Sequence, residues 1–211
     1  MKLSLAPWYA GHETYLAGSV YTAAPGFRAE TARTLVDAGI AVHADVMAPH
    51  EGLPSGVTVE ELAELAAIVP RELLGIHLIG TAEGVEPLLP LVPDCADLYV
   101  PYGIHVDRPT TRIWAALWDE FGANIPAADE FDGYDGLLIM LLEPGTSGAA
   151  DPSRLALSRV LAPHIAVAVD GGVTPELIPQ CLDAGVSTVV VGRALLTEAS
   201  STEISLSEGQ S

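Results

Sequence analysis

The residues best placed to do chemistry are two histidines and two aspartates at or near the ends of apolar runs. His43 and Asp45 stand two apart in Gly39-Ile40-Ala41-Val42-His43-Ala44-Asp45-Val46-Met47, so in an extended strand their side chains share one face. His77 comes late in the run Leu73-Leu74-Gly75-Ile76-His77-Leu78, and Asp170 closes Ile165-Ala166-Val167-Ala168-Val169 before Gly171-Gly172. Two imidazoles and two carboxylates form a four-ligand set for zinc, ferrous iron or manganese. Taken singly, each has a plainer reading. A histidine in an apolar strand is commonly a satisfied core residue, and an aspartate before two glycines is a turn former. Their joint placement is the case for one shared divalent ion.

A second group suits an anion. Glu143-Pro144-Gly145-Thr146-Ser147-Gly148, Gly171-Gly172 and Gly192-Arg193 each follow an apolar run. Glycine-rich loops leading into helix N-termini offer backbone N–H groups to a phosphate, and Arg193 could add a bidentate contact. The same glycines would also serve tight turns, and Arg193 could instead be a solvated residue opening a final helix.

These side chains need a scaffold that gathers strand ends. Apolar runs near 2–6, 40–47, 73–79, 96–101, 135–142, 164–170 and 187–192 alternate with segments of helical period. Continuous apolar strands separated by helices imply a parallel sheet covered on its outer side. An eighth strand is placed around Gly122–Pro126, followed by a compressed connection, Ala127–Asp135, too short for a full helix. The expected fold is a single (β/α)8 TIM barrel over residues 1–199, shortened around its fifth strand and helix, with 200–211 a disordered polar tail. Catalytic residues in such a barrel lie at the C-terminal strand ends. Thr58-Val59-Glu60-Glu61 reads as a capping box for a helix reaching about Ile68. Asp151-Pro152 and Thr174-Pro175 read as helix starts, and Ala38-Gly39 and Ala184-Gly185 as helix ends.

Composition narrows the partners. Nine basic residues face 28 acidic ones, for a net charge of −19. Such a surface repels nucleic acid and anionic membranes, so neither is expected as a partner. An anionic ligand then needs local compensation from a metal, an arginine or backbone amides. Lys2 is the one lysine, at the start of the expected first strand, which argues against Schiff-base chemistry. No run nears the ~20 apolar residues of a membrane span, and the N-terminus lacks signal-peptide features. A cytoplasmic location is expected, with Cys95 and Cys181 as free buried thiols.

In order along the chain, His43-Ala44-Asp45-Val46-Met47, His77-Leu78-Ile79, Pro144-Gly145-Thr146-Ser147-Gly148, Val169-Asp170-Gly171-Gly172, Ala184-Gly185-Val186 and Val191-Gly192-Arg193-Ala194 resemble the motifs of the ribulose-phosphate 3-epimerase family. That resemblance implies His43, Asp45, His77 and Asp170 as metal ligands, with Asp45 and Asp170 doubling as the acid/base pair. It implies a small phosphorylated sugar as substrate, Met47 and Met140 over the reacting carbon, and a homo-oligomer. The activity implied is epimerisation next to the ketone of a ketose phosphate, ribulose 5-phosphate/xylulose 5-phosphate first among them. The sequence departs from the family at Ala48-Pro49, at Ser147, Ala149 and Arg193, at Ser4-Leu5-Ala6 in place of a first-strand serine run, and near Tyr102 in place of a fourth-strand histidine. These departures leave open another ketose phosphate, such as a hexulose 6-phosphate, or a phosphosugar-binding barrel without catalysis. The Gly192-Arg193 pair is also similar to orotidine-monophosphate decarboxylase and hexulose-phosphate synthase barrels, but their Asp-x-Lys-x-x-Asp signature is absent.

Overall fold

The alternation of apolar runs and helical segments closes into an eight-stranded parallel barrel in the computed structural model, which describes residues 3–122 and 124–198. A short strand, β1 (Leu3–Leu5), precedes the staves β2 (Leu16–Ser19), β3 (Ala41–Met47), β4 (Leu74–Ile79), β5 (Asp97–Pro101), β6 (Arg112–Leu117), β7 (Gly136–Met140), β8 (Ala166–Asp170) and β9 (Thr188–Val191). Each stave pairs in parallel with its neighbour, and β9 pairs with β2 to close the ring. Outside the ring, β1 pairs antiparallel with β10 (Leu196–Glu198). The helices are α1 (Arg28–Asp37), α2 (Val59–Ile68), α3 (Ala82–Val85), α4 (Leu155–Leu161) and α5 (Ile178–Asp183).

Strand alternation divides the apolar residues into two layers. Val42, Ala44 and Val46 of β3 face outward into a core shared with Ala32 and Leu35 of α1 and Leu62 and Leu65 of α2. The barrel interior is packed by Ala17, Tyr99, Trp114, Ala116, Leu138, Met140, Ala168 and Val190. It is a filled core, leaving its chemistry to the rim. The Thr58 capping box forms as expected, with the Glu61 N–H donating to Thr58 Oγ1 at 3.2 Å and the Thr58 N–H to Glu61 Oε2 at 3.1 Å. Asp151 caps a 3-10 turn over Pro152–Arg154 that leads into α4. Gly39 and Gly185 follow α1 and α5 in the left-handed conformation.

Several sequence expectations need correction. The run at 2–6 is not a stave: the first barrel strand is β2, whose small residues Ala17-Gly18-Ser19 carry little hydrophobic signal. The eighth stave is β6, not 122–126, and its Trp114 fills the interior. The shortening is also broader than expected. No helix spans 102–111, and the described residues of 118–135 hold only a 3-10 turn, Ala128–Phe131. Thr174-Pro175 forms a turn ahead of α5, which starts at Ile178. Arg193 opens a single turn leading to β10, not a final helix. The 200–211 tail lies outside the described residues. Among the described residues no helix is long and apolar enough to cross a membrane. Cys95 and Cys181 are free and buried, and burial pushes both thiols up to about 11.

Candidate functional site

Register brings the four predicted ligands together. On β3 the inward positions are His43, Asp45 and Met47; Asp45 stands beside His77 of β4, and Asp170 ends β8 beside Met140 of β7. One ligand atom from each of His43, Asp45, His77 and Asp170 lies within 4.8 Å of all the others. His43 Nε2 is 3.2 Å from Asp45 Oδ1 and 3.7 Å from Asp170 Oδ2, and His77 Nδ1 is 3.3 and 3.9 Å from the same two oxygens. These are distances that a central ion with bonds of about 2.0–2.2 Å can draw together.

The donor set supports that fit. His43 is 1% exposed, yet neither of its ring nitrogens has a hydrogen-bond partner, an arrangement costly to leave unmet. Nε2 lies close to Asp45 but is misaligned for a hydrogen bond. A buried carboxylate, Asp45, beside a half-buried one, Asp170, also calls for a cation. Burial favours a neutral Asp45, but His43 and His77 outweigh it and hold its carboxyl well below the usual range. Asp170 goes the other way: burial, then the Asp45 charge, push its carboxyl up. Burial opposes a charged His43, yet Asp45 and Asp170 more than offset this and raise its pKa.

Above the cluster opens a cavity of about 1080 Å³, at the upper end of the usual ligand-site range of ~300–1,000 Å³. Asp45 and Asp170 form part of its floor, with His43 and His77 beneath; Met47 and Met140 line it, as do Gly145, Thr146, Ser147, Gly148, Gly171, Gly172, Gly192 and Arg193. The loops pack backbone against backbone. A Cβ on Gly172, whose φ is +68°, would lie 2.6 Å from the Ala150 nitrogen and 2.9 Å from the Gly148 oxygen. Within the first loop, Thr146 turns both its N–H and its hydroxyl onto the Glu143 carbonyl, so the turn-forming reading holds there. The N–H groups of Ser147, Gly148 and Gly172 have no partner among the described residues and are available to an anion. Arg193 is exposed at the cavity edge.

Two site residues escaped the sequence reading. Ser19, at the end of β2, donates to Asp45 Oδ2 at 2.7 Å and lines the cavity; it stands at the rim end of the first stave, whereas Ser4 lies in β1 outside the ring. The signal was the pairing of Ser19 with a short apolar run, Leu16-Ala17-Gly18. Arg28, 3% exposed, also lines the cavity and ties α1 to the loop after β3 through the Gly56 carbonyl and to α2 through Glu61. Tyr102 is not a site residue. It packs outside the cavity with Phe121, Phe131 and Tyr134.

Comparison with known proteins agrees with the resemblance. The sequence model of the ribulose-phosphate 3-epimerase family matches residues 126–196, the stretch that carries the two glycine loops, Asp170 and Gly192-Arg193. No curated protein matches. Among solved structures, phosphoribosyl anthranilate isomerase from Thermus thermophilus superposes with a TM-score of 0.58 at 15% identity, covering 85% of this chain and 88% of its own. The same enzyme from Thermococcus kodakaraensis gives 0.57 at 14% identity, covering 86% and 89%. Thiamine phosphate pyrophosphorylase from Pyrococcus furiosus gives 0.54 at 15%, covering 85% and 86%. At such identities the structures establish the TIM-barrel fold. The family match adds support for a phosphosugar-processing barrel of the isomerase or epimerase type, with a cluster able to hold a divalent metal.

Proposed function

We propose that this protein is a metal-dependent epimerase that inverts the carbon next to the ketone of a ketose phosphate, with ribulose 5-phosphate and xylulose 5-phosphate as the first candidates. The observation that carries the reading is a pair of carboxylates, Asp45 and Asp170, sharing one four-ligand cluster at the floor of a glycine-walled cavity. His43, Asp45, His77 and Asp170 would hold the ion. When bound, it supplies positive charge that stabilises the ketose oxygen as the adjacent carbon loses its proton.

The rest falls to the chain itself. Inversion needs one group to take the proton and another to return one on the opposite face. Environments that push two carboxyl pKa values apart suit that division. Asp45, held ionised by the imidazoles, is the base in one direction; Asp170, whose carboxyl is pushed up, carries the proton. The roles exchange in the reverse reaction. Ser19 keeps Asp45 oriented through its 2.7 Å bond, and Met47 and Met140 give the reacting carbon an apolar, adaptable wall. The free amides of Ser147, Gly148 and Gly172, with Arg193 at the edge, take the phosphate.

The roomy cavity favours one second reading, a longer sugar such as a hexulose 6-phosphate processed at the same centre. Elemental analysis should find about one divalent ion per chain, and a panel of ketose phosphates should include at least one converted to its epimer. Phosphosugar binding without conversion of any panel member would leave a binding barrel and end the enzyme reading.

A further inference from the structure

The opposite end of the barrel holds a second cavity of about 330 Å³, and His43 lies on its wall together with Gly75, Asp97 and Tyr99. His43 therefore stands between two spaces, its Nε2 towards Asp45 and Asp170 and its Nδ1 without a partner. If Nε2 uses its lone pair on an ion, the ring proton must sit on Nδ1, and a buried N–H needs an acceptor. No protein atom of the described residues supplies one.

The register places a carboxylate in the same row as His43. His43, Gly75 and Asp97 are partners in one row across β3, β4 and β5. Two strand spacings separate His43 from Asp97, roughly 10 Å between backbones, which is too far for a direct bond. Position 75 between them carries no side chain. A Cβ there would come 3.2 Å from the Tyr99 ring and 3.9 Å from the Asp97 Cβ, so glycine keeps the space open. Asp97 is held firmly on its other side. Its Oδ1 accepts from Trp114 Nε1 at 2.6 Å and its Oδ2 from Arg112 Nη2 at 2.8 Å, and Arg112 Nε completes the ion pair 2.7 Å from Oδ1. Each oxygen keeps acceptor capacity.

We infer that Asp97 is a positioning residue for the metal centre, orienting the His43 imidazole through a water held in this lower cavity. The inference rests on the metal reading of the upper site. The space is polar and far larger than the ~30 Å³ share of one water. The water would have the His43 N–H, the Asp97 carboxylate and the Tyr99 hydroxyl, itself without a partner among the described residues. A histidine ligand whose second nitrogen is anchored in this way is fixed in tautomer and ring angle and is the more basic ligand.

The test is a titration of the metal-free protein with cobalt(II), followed by its visible absorption, for wild type, Asp97→Asn and Trp114→Phe. Asp97→Asn should weaken cobalt binding by about 10- to 100-fold and alter the spectrum, as removal of such an outer partner does. Trp114→Phe removes the indole bond to Asp97 and part of an interior ring while leaving the carboxylate in place, and should stay within about two-fold. A high-resolution crystal structure of the wild type should show a water within hydrogen-bond distance of both His43 Nδ1 and Asp97, a result independent of how the variants fold. Equal loss in both variants, unchanged affinity in Asp97→Asn, or a dry cavity would overturn the inference. Unchanged Asp97→Asn with tight wild-type binding refutes the inference alone; a wild type that binds no cobalt refutes the metal reading with it.

Discussion

The barrel has two unlike arcs. Staves β7, β8, β9, β2, β3 and β4, with the loops that follow them and Arg28 of α1, supply the rim cluster and the upper cavity, whose wall includes none of the described residues between Ile79 and Met140. Staves β5 and β6 close the ring yet add nothing to that rim, and around them the connections shrink. Helix α3 has four residues, 102–111 has no helix, and the described residues of 118–135 have only a 3-10 turn. An aromatic group, Tyr102, Phe121, Phe131 and Tyr134, covers the strands instead. The contrast separates two demands on the fold. Closing a barrel needs apolar cover of any form, whereas placing ligands needs strand ends in fixed register.

That contrast can be broken by variants chosen from each arc. Asp170→Asn should have the largest effect, lowering kcat by about 10²- to 10⁴-fold, the usual worth of a positioned acid or base. Metal-free stability should hold or rise, because the Asp45 charge disfavours an ionised Asp170. A variant that unfolds would make Asp170 a structural residue. Phe131→Ala, on the shortened arc, should do the reverse: a loss of about 3–5 kcal/mol in stability with metal affinity unchanged in the folded protein. Parallel loss of metal affinity would show the arcs to be coupled.

Smaller effects sharpen the picture. Arg193→Ala should raise KM about ten-fold or more with kcat little changed, as loss of a charge-assisted bond to the phosphate would; an unchanged KM removes Arg193 from the anion site. The pH dependence follows from the shifted pairs. The lowered Asp45 contributes stability present above its unfolded pKa of ~3.9 and lost as pH falls through its folded value. The raised His43 contributes stability present below ~6.5 and lost as pH rises through its folded value. The two together favour the metal-free protein in mild acid. Metal binding needs His43 neutral, so the melting-temperature gain from added zinc should grow between about pH 6 and 8. A gain independent of pH would mean that His43 is not a ligand.

Legibility followed the same division. On the functional arc, His43 and Asp45 were readable because period-2 spacing fixes a shared face, and Asp170 because it ends an apolar strand before two glycines. Ser19 was not, since Leu16-Ala17-Gly18-Ser19 is short and made mostly of small residues, while the run at 2–6 looks more strand-like and is spent on pairing with β10. On the other arc β6 was missed although Ile113-Trp114-Ala115-Ala116-Leu117 is a continuous apolar run: it starts at Arg112, largely exposed beside Asp97, and follows β5 with no helix between them to mark it as a separate stave. Asp97 escaped notice because its link to His43 crosses two strands and an empty position.

The most direct test of the central claim is proton exchange in D₂O, followed by NMR on ribulose 5-phosphate and longer ketose phosphates. The metal-loaded wild type should place one solvent deuterium on the carbon beside the ketone of its substrate. Chelation, or Asp45→Asn, should stop it. No exchange with any ketose phosphate, or exchange undiminished in Asp45→Asn, would contradict the account.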